Sequence, residues 1–210
     1  TDEAAILAGY LDAGMTQPKI LGTFGGINIP PVTIFMDGFV KGVNHWNTQK
    51  GDSVMVLGWN LDTREGLFTN SFDNLDDGRA FDQILYDEGA DIVLPVAGPV
   101  GLGSATLADE LGIDRLKIIG VDADLYFTDT ARQHVYLTSI TKRMDATVGQ
   151  VIEATINGEF EGGLLTGTLE NDGVGLAPFH DMDDLVPDDL KAELEALRAG
   201  IIDGRISVSD

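Results

Sequence analysis

The chain has 210 residues, is 43% hydrophobic, contains no cysteine and carries a formal charge of −22 from 35 acidic and 13 basic residues. This length and hydrophobicity suffice for one or two modest cores, which excludes a disordered tail. Nucleic acid is not an expected partner, because binding to it depends on Lys and Arg displacing counterions from phosphates. Without cysteine, the chain can form neither a disulfide nor a thiolate metal site.

The chain opens directly in a helical pattern, in which Ala4, Leu7 and Leu11 recur at helical spacing. Its first residues form neither the basic nor the apolar region of a signal peptide, and no apolar run of about 18 residues occurs in the sequence. We therefore expect the chain to begin within a longer protein whose N-terminal portion is absent.

Apolar β-type runs then alternate with helical patterns, which predicts an α/β fold with a mostly parallel sheet flanked by helices. The predicted strands cover 20–24, 54–59, 91–97, 117–121 and 135–140, followed by a strand with turns in the glycine-rich segment 162–175. The predicted helices cover 32–46, 76–88, a segment ending at Leu111-Gly112, 145–157 and 188–199. We expect Gly112 to be a left-handed C-cap, and Gly158 and Gly200 to end the last two helices.

Ligands of open parallel sheets bind beyond the carboxyl ends of the strands, where loops and helix N-termini converge. This rule selects residues 25–27, the loop before Phe72, residues 98–103, residues 122–124 and the segment after Ile140. These positions are where a binding site is expected.

The loop 98–103 follows a predicted strand and opens a helix, so the backbone N–H groups from Gly98 onward could bind a polar ligand. Thr106 stands where a dinucleotide fingerprint has its third glycine, and the loop lacks the lysine of a phosphate loop. No dinucleotide or other cofactor is therefore expected. The residues alone leave open whether this is a ligand loop or a plain strand-to-helix turn.

Three side chains at the selected positions could contact a ligand. Asp122 could accept two hydrogen bonds from the vicinal diol of a sugar, or it could cap a turn; Asp124 is the weaker choice. Lys142 and Arg143 are adjacent in or after a strand and point opposite ways, so we expect only Lys142 to enter the site. Phe72 could stack on a flat heterocycle or pack back on the core.

No catalytic residue or metal site is expected. His45, His134 and His180 are scattered, and none has the spacing of a nucleophilic or metal site. Ser104 lacks the Gly-x-Ser-x-Gly context, and the acidic segment 181–184 lacks the order of a calcium loop and is interpreted as a solvated turn.

Several stretches, taken together and in order, resemble the basic membrane protein family of bacterial lipoproteins, the purine-nucleoside receptors of ABC importers. They are Ala8-Gly9-Tyr10, Gly25-Gly26-Ile27 with Ile29-Pro30, Phe35 and Gly38-Phe39, Ser71-Phe72-Asp73, 86–91, Ala97-Gly98, 120–124, 137–140 with Lys142-Arg143, and 173–178. The resemblance covers nearly the whole chain. It implies a type I periplasmic-binding-protein fold whose two lobes close on the ligand, with the first lobe incomplete in this chain.

The resemblance also implies particular contacts. A phenylalanine of the family that stacks on the base falls on Phe72, and the groups that contact the ribose fall on Gly98, Asp122 and Lys142. Two departures could alter the rim of the cleft: Pro99-Val100 replaces a Gly-Thr-like pair, and the stretch 61–70 looks longer than usual. The residues expected to identify the base belong to the absent first lobe, so the preferred base is not readable here.

The resemblance further suggests how the chain is divided and where it works. Residues 1–18 are expected to end the first lobe or form a crossover helix, 19–138 to form the second ligand-binding lobe, and 139–210 to return to the first lobe with a C-terminal helix. The implied partners are a purine nucleoside, an ABC permease and the missing N-terminal portion. The implied location is extracytoplasmic, with a lipid anchor outside this chain.

Two other functions remain as alternatives. A nucleoside-acting hydrolase could use Asp122 and Asp124 with a metal ion, although a larger aspartate cluster near an N-terminal strand would favour it more. A sensory or transcriptional regulator on the same fold is the other alternative; the acidic charge and the absence of DNA-binding helices argue against it. The leading interpretation is a solute receptor without enzymatic activity.

Overall fold

The computed structural model describes residues 1–208, in which helices and strands alternate along the chain. The helices are α1 (Asp2–Met15), α2 (Pro30–Lys50), α3 (Leu75–Asp87), α4 (Gly101–Leu111), α5 (Leu125–Thr128), α6 (Met144–Asn157) and α7 (Asp188–Ile202). The strands are β1 (Ile20–Gly25), β2 (Met55–Leu57), β3 (Trp59–Asn60), β4 (Glu65–Gly66), β5 (Ile92–Val96), β6 (Lys117–Asp122), β7 (Tyr136–Lys142) and β8 (Val174–Leu176). Short 3₁₀ helices cover Gly98–Val100, Gln133–Val135 and His180–Leu185.

In the described part of the chain, six strands form one sheet in the order β2-β1-β5-β6-β7-β8, in which only β8 runs antiparallel to its neighbour. One core cluster contains side chains of α1, α2 and α7, and a second contains side chains of α3 and α4. Helices therefore cover both faces, which explains why β5 is an uninterrupted buried apolar run. The predicted α/β fold with a mostly parallel sheet is confirmed.

Helix α1 is buried all round, from Ala4 to Ala13, because it packs directly against α2 as well as against the rest of its core cluster. Glycine allows the close approach of the two helices. A Cβ atom on Gly9 would lie 2.0 Å from the Phe39 carbonyl oxygen, and one on Gly42 would lie 2.1 Å from the Ile6 carbonyl oxygen.

The predicted strand 54–59 is wrong as a single element. Its apolar run divides into β2 and β3 at Gly58, where φ is +87° and a Cβ atom would lie 1.9 Å from the Thr23 carbonyl oxygen. After this turn, β3 pairs with β4 in a short antiparallel hairpin that the sequence interpretation treated as a polar loop.

The glycines predicted to end helices behave differently from one another. Gly158 takes the left-handed conformation after α6, as predicted. Gly112 has a positive φ but a ψ of 150°, so the prediction of a left-handed cap was wrong. Gly200 does not end α7: the helix continues because Ile201 is buried in the core, and it stops before Gly204, where φ is +74°.

Two other segments also differ from expectation. Within 162–175 only the last residues become strand, as part of Val174–Leu176, because glycine weakens a strand and this segment has four glycines before Val174. The expected loop 98–103 is already helical: the 3₁₀ helix Gly98–Val100 continues into α4. The remaining predicted elements form within four residues of their expected bounds.

Helix α6 differs from the other long helices because none of its residues is buried. Its exposed apolar side chains include Met144, Val148, Ile152 and Ile156, and Leu164 is exposed in the segment that follows. Among residues 1–208, no helix is both long and apolar enough to cross a membrane.

Candidate functional site

An open groove of about 240 Å³ lies beyond the carboxyl ends of β5, β6 and β7. All four residues selected from the sequence line it: Phe72, Gly98, Asp122 and Lys142. They come from one loop, the start of a 3₁₀ helix and two strand ends, which the parallel sheet brings to the same edge. Their proximity is a property of the structure, whereas their contact with a ligand stays a prediction.

Asp122 is the last residue of β6 and lies in the left-handed region of backbone conformation, with φ at +70°. This conformation is uncommon outside glycine but is tolerated by aspartate and asparagine. Its side chain is 45% exposed, and one carboxylate oxygen lies 2.9 Å from the ammonium of Lys142. The other oxygen, Oδ2, remains available to a polar ligand.

Lys142 is the last residue of β7, and its side chain is 30% exposed. Besides the ion pair with Asp122, its ammonium lies 4.6 Å from the centre of the Phe35 ring. The neighbouring Arg143 does not line the groove but pairs with Asp145 at 3.1 Å. Of the two adjacent cations, only Lys142 lines the groove, and its contact with a ligand stays a prediction.

Gly98 presents open backbone to the groove. Its φ is +53°, and a Cβ atom at this position would meet no heavy atom within 4 Å. No side chain caps the 3₁₀ helix that begins here. Pro99 has no N–H group and the Val100 N–H donates to the Ala97 carbonyl, so the Gly98 N–H is the donor through which this turn can bind a polar ligand.

Phe72 is half-buried, and its ring rests on Gly26, where a Cβ atom would lie 2.4 Å from the ring. The loop that carries it is held by Thr69, whose N–H donates to the Gly25 carbonyl at 3.0 Å and whose hydroxyl donates to the Ser71 carbonyl at 2.9 Å. The two interpretations of Phe72 are therefore compatible, because the side chain packs on the core and also lines the groove.

The remaining walls of the groove are mainly apolar. They come from the start of α2, the loop before it, the strand ends and the 3₁₀ helix after β5, and consist of Ile29, Pro31, Val32, Phe35, Val96, Pro99 and Val121. Phe35 was not among the residues selected from the sequence, although it lines the groove. Periodicity could not have revealed it, because a groove wall and a core face have the same apolar spacing.

Asp124 lies outside the groove lining and has other partners. It caps α5 by accepting a hydrogen bond from the Tyr126 N–H, and its Oδ2 lies 2.8 Å from Nε2 of His180. The His180 ring stacks on Tyr126 at 4.0 Å. The Tyr126 hydroxyl donates to Asp181 at 3.0 Å, and this hydrogen bond raises the pKa of Tyr126. The sequence interpretation missed the pairing of His180 with Asp124, which are far apart in the chain.

The groove offers groups for binding and lacks an evident nucleophile. Within residues 1–208, no three His, Cys, Asp or Glu side chains are grouped so that they could hold a metal ion. Asp122 and Asp124 have different partners, and the buried Ser104 hydroxyl is directed at the Gly78 carbonyl, 3.4 Å away. The arrangement can hold a small molecule that has both a flat apolar part and hydroxyl groups.

Comparison with known proteins gives a family match along the whole sequence. The Bmp family model, described as ABC transporter substrate-binding protein PnrA-like, matches residues 1–210. The ABC transporter nucleoside-binding protein BmpA of Lactococcus lactis is 28% identical over 219 residues, covering 99% of this chain and 58% of that protein. Basic membrane protein A1 of Borrelia garinii is 29% identical over 209 residues, covering 99% of this chain and 57% of that protein.

A solved structure supports the fold. The crystal structure of an ABC transporter solute-binding protein from Aeropyrum pernix superimposes with a TM-score of 0.82 at 22% identity, covering 98% of this chain and 64% of that one. This chain therefore spans less than two thirds of the length of the proteins it matches.

Proposed function

Because this chain belongs to the Bmp family of PnrA-like ABC transporter substrate-binding proteins, we propose that the protein containing it is a receptor that captures a purine nucleoside and delivers it to an ABC importer. The observation that carries the proposal is the groove, where Phe72, Gly98, Asp122 and Lys142 meet at one edge of the sheet. The name of the Lactococcus relative, a nucleoside-binding protein, supports the ligand class.

Each part of the groove matches one part of a nucleoside. The Phe72 ring can stack on the base, a contact that is worth about 1–3 kcal/mol when aromatic side chains bind nucleic acid bases. Asp122 can accept hydrogen bonds from the two ribose hydroxyls, and Lys142 and the backbone at Gly98 can donate to their oxygens. Binding of this kind needs no covalent step, in keeping with a transport receptor and not a hydrolase.

We further propose that a first lobe, in the part of the protein that this chain does not span, supplies the opposite wall of the site. The groove of about 240 Å³ is smaller than the roughly 300–1,000 Å³ of typical ligand pockets. The exposed apolar side chains of α6 also suggest a surface that another part of the protein covers. Hinge closure of the two lobes would bury the nucleoside and present the closed form to a permease.

The relatives also suggest where the protein works. We propose that it lies outside the cytoplasm and is held at the membrane by a lipid attached beyond this chain. A lipidation cysteine after a signal peptide in the full gene, together with incorporation of labelled fatty acid into the protein, would support this location. A full-length product that stays in the cytoplasmic fraction would contradict it.

The first experiment uses the full-length gene product. Ligand released on denaturation is identified by mass spectrometry, and the emptied protein is titrated calorimetrically with inosine, guanosine, adenosine and ribose. We expect Asp122→Asn to weaken nucleoside affinity about 10- to 150-fold, because a hydrogen bond to a charged group is worth about 1.5–3 kcal/mol. Asn tolerates the left-handed backbone at this position, so the fold should be retained.

Two control variants separate the groove from its surroundings. Asp124→Asn changes a nearby carboxylate that lies outside the groove lining, and Phe127→Ala removes an exposed aromatic ring from α5. Both should bind as the parent does, whereas Phe72→Ala should bind about 5- to 150-fold more weakly. Free base and ribose accumulating with time would identify a hydrolase. Absence of binding to any nucleoside would refute the ligand assignment and leave the family unchanged.

A further inference from the structure

The ammonium of Lys142 has two partners in the groove. The Asp122 carboxylate oxygen lies 2.9 Å away. The centre of the Phe35 ring is also only 4.6 Å away, within the range of a cation–π interaction. The charged end of a long, flexible side chain thus contacts both a carboxylate and an aromatic face.

The two partners of Lys142 differ in whether a bound ligand can displace them. Asp122 is nearly half exposed and is the group that we propose for the ribose hydroxyls, so a bound ligand would compete with Lys142 for its oxygens. Phe35 is only 2% exposed and packs in the main core cluster, so a ligand cannot displace its ring. The aromatic contact therefore persists when the ion pair is partly replaced by hydrogen bonds to a ligand.

We propose that Phe35 is a positioning residue of the binding site, whose ring face holds the Lys142 ammonium where a ribose oxygen can accept a hydrogen bond from it. This inference rests on the proposed function. Lysine has many rotamers, and ordering it before the ligand arrives removes a cost from binding. Phe35 thereby raises affinity through Lys142, even though most of its side chain faces the core.

The test compares Phe35→Leu with Phe39→Leu in the full-length gene product. Phe39 lies one turn further along α2, is fully buried and does not line the groove, so its replacement creates a similar packing defect without touching Lys142. We expect Phe35→Leu to weaken nucleoside affinity roughly 3- to 30-fold, which is the range of cation–π contacts in partly desolvated sites. Phe39→Leu should bind as the parent does.

Two further measurements separate positioning from a general packing defect. In a Lys142→Met background, adding Phe35→Leu should change affinity less than about 2-fold, since the contact is already lost. In NMR spectra of protein isotopically labelled at the lysine ε-carbon, the ring current of Phe35 should shift the Lys142 signal upfield. That signal is assigned by its absence from Lys142→Met, and its shift should disappear in Phe35→Leu and persist in Phe39→Leu.

Equal affinities of the parent and Phe35→Leu, or an undiminished effect in the Lys142→Met background, would overturn the inference. A Lys142 signal without a ring-current shift in the parent would also overturn it, and this measurement does not require Phe35→Leu to fold. If the parent bound no nucleoside, the proposed function would fail, while the spectral shift would still decide whether Phe35 holds Lys142.

Discussion

Asp82 is a carboxyl group on α3 that is completely buried beside Ser104 of α4. Neither of its oxygens has a hydrogen-bond partner among residues 1–208, and the Ser104 hydroxyl is directed at the Gly78 carbonyl. Burial raises the pKa of Asp82 to about 8, with the nearby Ser104 hydroxyl acting in the opposite direction. The side chain should therefore be protonated in the folded protein at neutral pH.

This shift makes stability depend on pH. Between the ordinary pKa of 3.8 and the folded pKa of about 8, the folded state holds a proton that the unfolded state releases, so the free energy of unfolding falls as pH rises. Each pKa unit is worth about 1.4 kcal/mol, so the full window of roughly four units costs on the order of 5 kcal/mol. Below the window the group has no such cost, and above it the cost is constant.

Asp82→Asn keeps the shape of the side chain and removes its ionisation. We expect the variant to gain stability relative to the parent as pH rises, by about 3 kcal/mol between pH 5 and pH 7.5. Urea unfolding followed by tryptophan fluorescence at a series of pH values measures this difference. Asp87→Asn, at an exposed position of the same helix, is the matched control and should differ from the parent by less than about 0.5 kcal/mol at every pH. A constant difference between Asp82→Asn and the parent across this pH range would refute the reasoning.

Two further predictions concern packing and hydrogen bonding. Gly42→Ala should destabilise the protein by about 3 kcal/mol or more, because the new Cβ atom would lie 2.1 Å from the Ile6 carbonyl oxygen. The control Gly149→Ala, on exposed α6, adds a Cβ atom that meets no other atom within 4 Å and should be neutral or stabilise by up to about 1 kcal/mol. Equal urea midpoints for the two variants would contradict this prediction. Tyr136→Phe removes the donor of a 2.9 Å hydrogen bond to buried Asp129. The free energy of unfolding, measured by urea denaturation at pH 7, should fall by about 1.5–3 kcal/mol. An unchanged value would show that this hydrogen bond makes no net contribution to stability.

Most of the sheet could be predicted from local sequence. Strands such as β5 and β6 are short apolar runs next to glycine or aspartate, and the alternation of such runs with helical patterns identifies them as strands of a sheet covered on both faces. The errors occurred where a contact remote in sequence decides the backbone. The chain turns at Gly58, where the carbonyl oxygen of Thr23 in β1 leaves no room for a side chain. Gly200 stays within the helix because the next residue, Ile201, is buried in the core.

The candidate site could be predicted in part for a similar reason. The rule that strand ends converge selected Phe72, Gly98, Asp122 and Lys142, and the sheet brings all four to one groove. The rule does not say which neighbours complete the groove. Phe35 has the helical spacing of a core residue, and its side chain is indeed buried in the core. Its connection to the site is visible only in the structure, from its distance to the Lys142 ammonium.

The sequence alone determined the α/β class, most strands of the large sheet and the polar groups that follow them, because each of these depends on residues close together in the chain. The tertiary structure decided which of those groups pair. The Asp122–Lys142 ion pair, the Asp124–His180 contact and the burial of Asp82 all depend on distances between residues that are far apart in sequence. Local patterns carry no information about such distances, which are set by the packing of helices against the sheet.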